Sequence, residues 1–192
     1  MTAVEGMPER QHHWEEVYKT KSDREVSWFQ DRPETSLDLI TESGVARDAA
    51  VIDIGGGASR LVDALLDEGY KDLSVLDIAA PALQKAKLRL KERAAAVHWI
   101  VADITTWQPD RRYALWHDRA VFHFLTTAED RAAYKKALSD ALPMGATVVL
   151  ASFALGGPER CSGLPVMRYS SRAWNRNWGR LLSWRRSGLR SI

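Results

Sequence analysis

Apolar positions along this chain follow two alternating periods. Near the N-terminus Trp14, Val17 and Tyr18 lie three and four residues apart, which is one face of a helix. A second helix is expected from Pro33, with Leu37, Ile40 and Leu39 turned inward and Gly44 as its stop. These two form a helical cap over residues 1–44. Short apolar runs then alternate with helical segments. VIDI (51–54), LSVLDI (73–78), VHWIVADI (97–104), YALWHD (113–118) and the end of PMGATVVLASF (143–153) read as strands. SRLVDALLDEG (59–69), PALQKAKLRLKER (81–93) and TTAEDRAAYKKALSDAL (126–142) read as helices. The first holds Leu61, Ala64 and Leu65 on one face and ends at Gly69. The second has Pro81 near its first turn, and the third opens on a threonine followed by acids. TTWQPDRR is a loop before the fourth strand.

Strands spaced by helices in this way imply βαβ units. The expected fold is therefore α/β: a doubly wound, mostly parallel sheet with right-handed crossovers and helices on both faces. Ligands of such sheets bind outside the carboxyl ends of the strands, near the topological switch point.

Polar residues gather at those ends. Asp53 lies beside the end of the first strand, followed by Gly55, Gly56 and Gly57; Asp77, Asp103 and Asp118 end the next three strands. Glycine is unfavourable inside regular elements by about 0.5–1 kcal/mol against alanine, so three in a row point to a ligand that approaches bare backbone. Asp77 stands where a carboxylate accepts the two hydroxyls of an adenosine ribose. Asp103 is then placed for an adenine amino group, with Ile78 and Ile104 as walls for the base. Structural readings stand beside these: Asp77 as a helix cap, Asp103 as a loop cap, Asp118 paired with Arg119 or Arg111, and Trp14, Trp28 and Phe29 as core or as a lid.

The dinucleotide pattern GxGxxG fits Gly55 and Gly57 but meets Arg60 at its third glycine. Asp53 would also bring negative charge toward a pyrophosphate. Both features weigh against the alternative of an NAD(P)-dependent oxidoreductase and favour a cofactor with a positive amino group and no phosphate. With DIGGGAS (53–59), VLDI (75–78) and ADI (102–104) in register with five strands, the chain resembles the class I S-adenosylmethionine-dependent methyltransferases over roughly residues 10–167. WEEVY, EVSWFQ, LWHDRAVFHFL and GPERCSGLPV narrow the likeness to a bacterial subgroup of generic methyltransferases. The resemblance implies S-adenosylmethionine as cofactor, with Asp53 and the glycine turn holding its amino and carboxylate groups. It names no acceptor, which is expected to be a small molecule or a protein side chain. His123, His117 and Asp118 are the candidate bases. A cofactor-binding homologue without activity is a further alternative.

Charge changes the picture at one end only. The formal net charge of +2 comes from Arg168–Ile192, which has seven arginines, five serines and three tryptophans but neither lysine nor acid. Without that stretch the balance is 20 basic to 25 acidic residues, so the body is not expected to bind nucleic acid. The family sheet continues to two further strands, and no five-residue alternation follows residue 167. The sheet is accordingly expected to lack them, and the segment 168–192 reads as a separate tail with a frameshift-like composition. A competing reading makes it a basic amphipathic helix for a membrane or nucleic acid, with Trp174, Trp178 and Leu181 on one face and Arg172, Arg176 and Arg180 elsewhere. An uncovered fifth strand would favour a homodimer. No CxxC or HExxH spacing implies a metal. No apolar run nears the ~20 residues of a membrane span. A single cysteine, Cys161, and an N-terminus without a signal pattern lead to a cytoplasmic expectation.

Overall fold

The computed structural model describes residues 6–21, 25–26, 28–119, 121–170, 172–173 and 178. Two helices, α1 (Gly6–Thr20) and α2 (Glu34–Glu42), precede the sheet. The alternation that follows is β1 (Val51–Ile54), α3 (Leu61–Asp67), β2 (Leu73–Asp77), α4 (Ala80–Leu90), β3 (Val97–Val101), β4 (Leu115–Arg119), α5 (Ala128–Ala141) and β5 (Thr147–Ala151). The five strands form one parallel sheet in the order β3-β2-β1-β4-β5. Between β1 and β4 the winding reverses, so the crevice expected of a doubly wound sheet opens at the end of β1.

Each face of the sheet carries its own core. Val51, Leu73, Val75, Leu115 and Val149 meet Leu37 and Ile40 of α2, Leu61 and Leu65 of α3 and Leu83 and Leu90 of α4. Ile52, Ile54, Leu76 and Trp116 meet Tyr134 and Leu138 of α5 on the other face. Alternate strand residues point to opposite faces, which is why two cores come from the same short runs. β1 is buried along its whole length, as a central parallel strand must be. The side chain of Thr127 caps α5 by accepting the Asp130 amide at 3.1 Å.

Some boundaries differ from the sequence expectation. β3 stops at Val101, because Asp103 turns the chain by accepting the Thr105 amide at 2.8 Å. α4 ends at Leu90 and passes into a 3-10 turn, Lys91–Ala96, where Lys91 takes a φ of 55°.

Beyond β5 the chain forms small ladders. β6 (Phe153–Ala154) pairs in parallel with β9 (Arg168–Tyr169), and β7 (Arg160–Cys161) forms a hairpin with β8 (Leu164–Pro165). The sheet holds five strands among the described residues, with β5 at its edge. The domain boundary read at residue 167 passes through the β6–β9 ladder. Tyr169 stacks on Phe122, with ring centroids 5.7 Å apart. Trp178 is fully buried against Phe122 and Tyr134. The rest of the helical reading of the tail, Trp174, Arg176, Arg180 and Leu181, lies outside the described residues. No described helix is long and apolar enough to cross a membrane.

Candidate active site

The glycine turn joins β1 to α3 at the switch point. Gly55 and Gly57 have φ values of 66° and 44°, a region that L side chains rarely adopt. Space forbids side chains as well. A Cβ at Gly56 would stand 2.5 Å from Asp53 Oδ2, and one at Gly57 would stand 2.8 Å from Asp77 Oδ2. Bare backbone thus lies directly over two buried carboxylates. The turn therefore has no room for a side chain at Gly56 or Gly57, and both carboxylates face its backbone.

Asp77 ends β2 and is 5% exposed. Burial pushes its carboxyl up to about 7, although the Ala79 amide donates to it at 2.8 Å. One oxygen thus fixes the turn just ahead of α4, whose N-cap is Ala79 without a side-chain cap, while the other faces Gly57. The hydroxyl of Tyr18 is also close, 3.1 Å from a Cβ at Gly57. Tyr18 belongs to a small cluster with Ala58, Ala79 and Ala82, flanked by Trp14 and Trp28. The N-terminal cap is thus part of the site, packed over the glycine turn. Ile78 follows Asp77 and is half-buried, whereas Ile104 is buried in the core of the α5 face.

Asp103 lies beyond β3. Its Oδ1 accepts the amide and hydroxyl of Thr105 at 2.8 and 2.7 Å. Its Oδ2 accepts from Arg10 at 3.2 Å, and the same guanidinium reaches Asp130 of α5 at 2.8 Å. Arg10 thereby ties α1 to the sheet edge and to α5.

Two of the three candidate bases are revised by their surroundings. His117 is 3% exposed and sits on the same face as Asp53, its register partner on β1. Its Nδ1 meets Asp53 Oδ1 at 2.7 Å and its Nε2 meets Ser36 Oγ at 2.9 Å. Both ring nitrogens are occupied, and His117 holds one oxygen of Asp53. Asp118 points to the other face. It accepts the Tyr134 hydroxyl at 2.6 Å and the amides of Val121 and Phe122 at 2.7 and 3.1 Å. It is fully buried, and burial raises its carboxyl to about 6. Its hydrogen bonds hold the turn after β4, and neither Arg119 nor Arg111 pairs with it; Arg111 instead pairs with Asp72.

His123 differs from both. It is 1% exposed, and neither ring nitrogen has a hydrogen-bond partner among the described residues. Its ring stacks on Phe153, with centroids 4.6 Å apart, and leans on Phe124 at 4.3 Å. Burial lowers its pKa to about 4, so the imidazole is neutral near pH 7. Phe124 in turn packs edge-on to Trp14 at 5.0 Å. An aromatic wall therefore runs from Tyr18 at the glycine turn, through Trp14 and Phe124, to His123.

Sequence reading missed Ser36, Arg10 and Tyr134. Their partners are 81, 93 and 16 residues away, beyond any local motif. All three lie on helices, and only the packing of those helices on the sheet brings the pairs together. A larger cleft of about 830 Å³ lies between the 105–112 loop and α5 and shares no residue with the glycine turn.

Comparison with known proteins agrees with this geometry. Residues 51–145 match a family described as a methyltransferase domain. No curated protein matches the sequence. Among solved structures, the glycopeptide N-methyltransferase MtfA complexed with S-adenosyl-L-methionine shares 17% identity, with a TM-score of 0.58 over 68% of this chain and 58% of that one. The DhpI-SAM-HEP complex aligns at 11% identity and a TM-score of 0.70 over 94% and 91%. A structure from work on the conversion of a disulfide bond into a thioacetal group during echinomycin biosynthesis aligns at 19% identity and 0.68 over 88% and 77%. At these identities the likeness is one of fold, and this chain spans little more than half the length of MtfA. Over residues 51–145 the chain is similar to the methyltransferase-domain family, and the glycine turn and all four strand-end acids lie within that matched stretch.

Proposed function

We propose that this chain transfers a methyl group from S-adenosylmethionine to an acceptor that is a small molecule or a protein side chain. The observation that carries the reading is the bare glycine turn over the carboxylates of Asp53 and Asp77 at the switch point of the sheet. When bound, the cofactor supplies a methyl group already activated on a sulfonium sulfur.

The residues of the chain bind, orient and exclude water. Asp77 accepts hydroxyl hydrogens and faces the ribose side. Asp53, held by His117, whose other ring nitrogen meets Ser36, keeps its second oxygen toward the turn and would face the ammonium end. Gly55, Gly56 and Gly57 let the backbone come close. Asp103 keeps a lone pair for an adenine amino group after its bonds to Thr105 and Arg10. Ile78, half-buried beside Asp77, would flank the base, whereas Ile104 is taken up by the core of the α5 face. Trp14, Tyr18 and Trp28 cover the turn, which keeps water from the reacting centre and aligns the partners.

Of the three candidate bases, His123 alone has both ring nitrogens without a partner among the described residues, and it is the group that would meet an acceptor. Its neutral imidazole accepts a hydrogen bond and orients a lone pair on the nucleophile. A pKa of about 4 makes it a weak base, so the site suits acceptors that enter already neutral or deprotonated. Calorimetric titration with S-adenosylhomocysteine, with NADH as control, tests the reading. Micromolar binding of the first alone is expected. Binding of neither by folded protein, or of NADH instead, overturns it.

A further inference from the structure

Arg119 closes β4 on the face that carries His117 and Asp53, since strand residues two apart share a face. Its guanidinium emerges at the carboxyl end of the sheet and is held by neutral acceptors only. Nη1 donates to Gln30 Oε1 at 2.6 Å and Nη2 to the Trp28 carbonyl at 3.2 Å. No carboxylate among the described residues lies within ion-pair distance of it. Charges removed from water usually have counter-charges, because an unpaired one loses its hydration without compensation. Burial indeed lowers the pKa of Arg119, with Asp53 and Tyr18 as its negative influences.

The side chain also borders space. With Tyr18, Trp28, Phe29, Ala58 and Ser59 it lines a cavity of about 20 Å³ beside the glycine turn. Asp53 lies under the same turn. A positive and a negative group therefore flank one stretch of bare backbone, which complements an α-amino-acid zwitterion. Building on the cofactor reading above, we infer that Arg119 binds the α-carboxylate at the methionyl end of the cofactor, with Asp53 opposite on the ammonium side. The cavity holds about one water, so an entering carboxylate replaces the Gln30 contact with a charge-assisted one. Gln30 and the Trp28 carbonyl hold the guanidinium in place for this exchange, which links the 28–33 segment of the cap to cofactor binding.

Calorimetry on the whole chain with two adenosyl thioethers tests the assignment: S-adenosylhomocysteine, and its decarboxylated analogue, which keeps the amine. Wild type is expected to bind the analogue about 10- to 100-fold more weakly. Arg119→Met is expected to lose a similar factor for S-adenosylhomocysteine and none for the analogue. Arg119→Lys keeps part of the preference. Equal wild-type affinity for the two ligands, or a Met variant that weakens both alike while its circular dichroism is unchanged, overturns the role of Arg119 and leaves the cofactor reading intact. Failure of the wild type to bind either ligand overturns both. If the Met variant does not fold, Arg119→Lys decides: a reduced preference supports the assignment and an unchanged one overturns it.

Discussion

Asp77 combines two opposed demands. Burial holds its proton to about pH 7, whereas an aspartate in an unfolded chain releases it near pH ~4. The folded state binds more protons between those values, so stability falls as pH rises from about 4 to about 7. Asp77→Asn keeps an acceptor for the Ala79 amide and removes the charge. Its melting temperature should exceed that of wild type at alkaline pH, the difference shrinking toward pH ~4, while S-adenosylhomocysteine affinity drops at least about tenfold. A wild-type-like affinity would remove Asp77 from the binding site. His123 has the opposite sign. Its folded pKa of about 4 lies below the ordinary 6.5, so the unfolded chain binds the extra proton and stability is lost as pH falls through that window. His123→Phe should abolish this slope and leave stability near pH 7 equal or higher, because an unpartnered buried imidazole gives way to an apolar ring among Phe124 and Phe153. Denaturant melts at several pH values would show it. A loss of more than about 1 kcal/mol at neutral pH would mean that the imidazole has a partner in the folded chain.

At the scale of elements, α1 is the part of the site that owes least to the sheet. It lies on α4 through a small aromatic and alanine cluster, and Arg10 forms two long-range ion pairs, with Asp103 and with Asp130. These groups are partly buried, so the pairs are screened less than surface ones. Arg10→Ala should raise amide hydrogen exchange along Gly6–Thr20 and leave β1, β2 and β4 as protected as in wild type. Unchanged exchange in α1 would show that Trp14 and Tyr18 alone hold the helix. The strand elements are set differently. β1 has hydrogen-bonded neighbours on both sides and a packed helix layer on both faces, so the glycine turn starts from a fixed point.

For the whole molecule the open matter is what belongs to the core. The composition after residue 167 sets that segment apart, yet Trp178 is buried in the ring cluster of Phe122, Tyr134 and Tyr169, with Lys135 lying 5.5 Å from its ring. The same Tyr134 holds Asp118 and accepts from Trp116 at 2.9 Å. The packing on this face thus reaches from the turn after β4 to a residue far along the chain. Trp178→Ala should cost about 3–5 kcal/mol, as the loss of a fully buried tryptophan does, and lower the denaturation midpoint accordingly. A change below about 0.5 kcal/mol would make the segment dispensable to the fold.

Local pattern determined a good deal. The five strands, the three helices between them, the glycine turn and the acids at the strand ends were all legible, because periods of 2 and 3.6 residues and glycine's backbone freedom are properties of neighbouring residues. Rules about chains of this kind led to the expectation of a doubly wound parallel sheet, but the order β3-β2-β1-β4-β5 came from the structure. What one carboxylate or imidazole faces is not a local property. Asp53 and Asp118 look alike in sequence, each near the end of a strand, yet β1 and β4 turn them to opposite faces, one toward His117 and Ser36 and the other toward Tyr134. His117 and His123 are six residues apart, and only the first finds partners. Sequence set which groups reach the carboxyl edge of the sheet. Tertiary packing decided which are tied up in holding the fold and which are left to meet a ligand, because hydrogen bonds and burial depend on contacts between segments tens of residues apart.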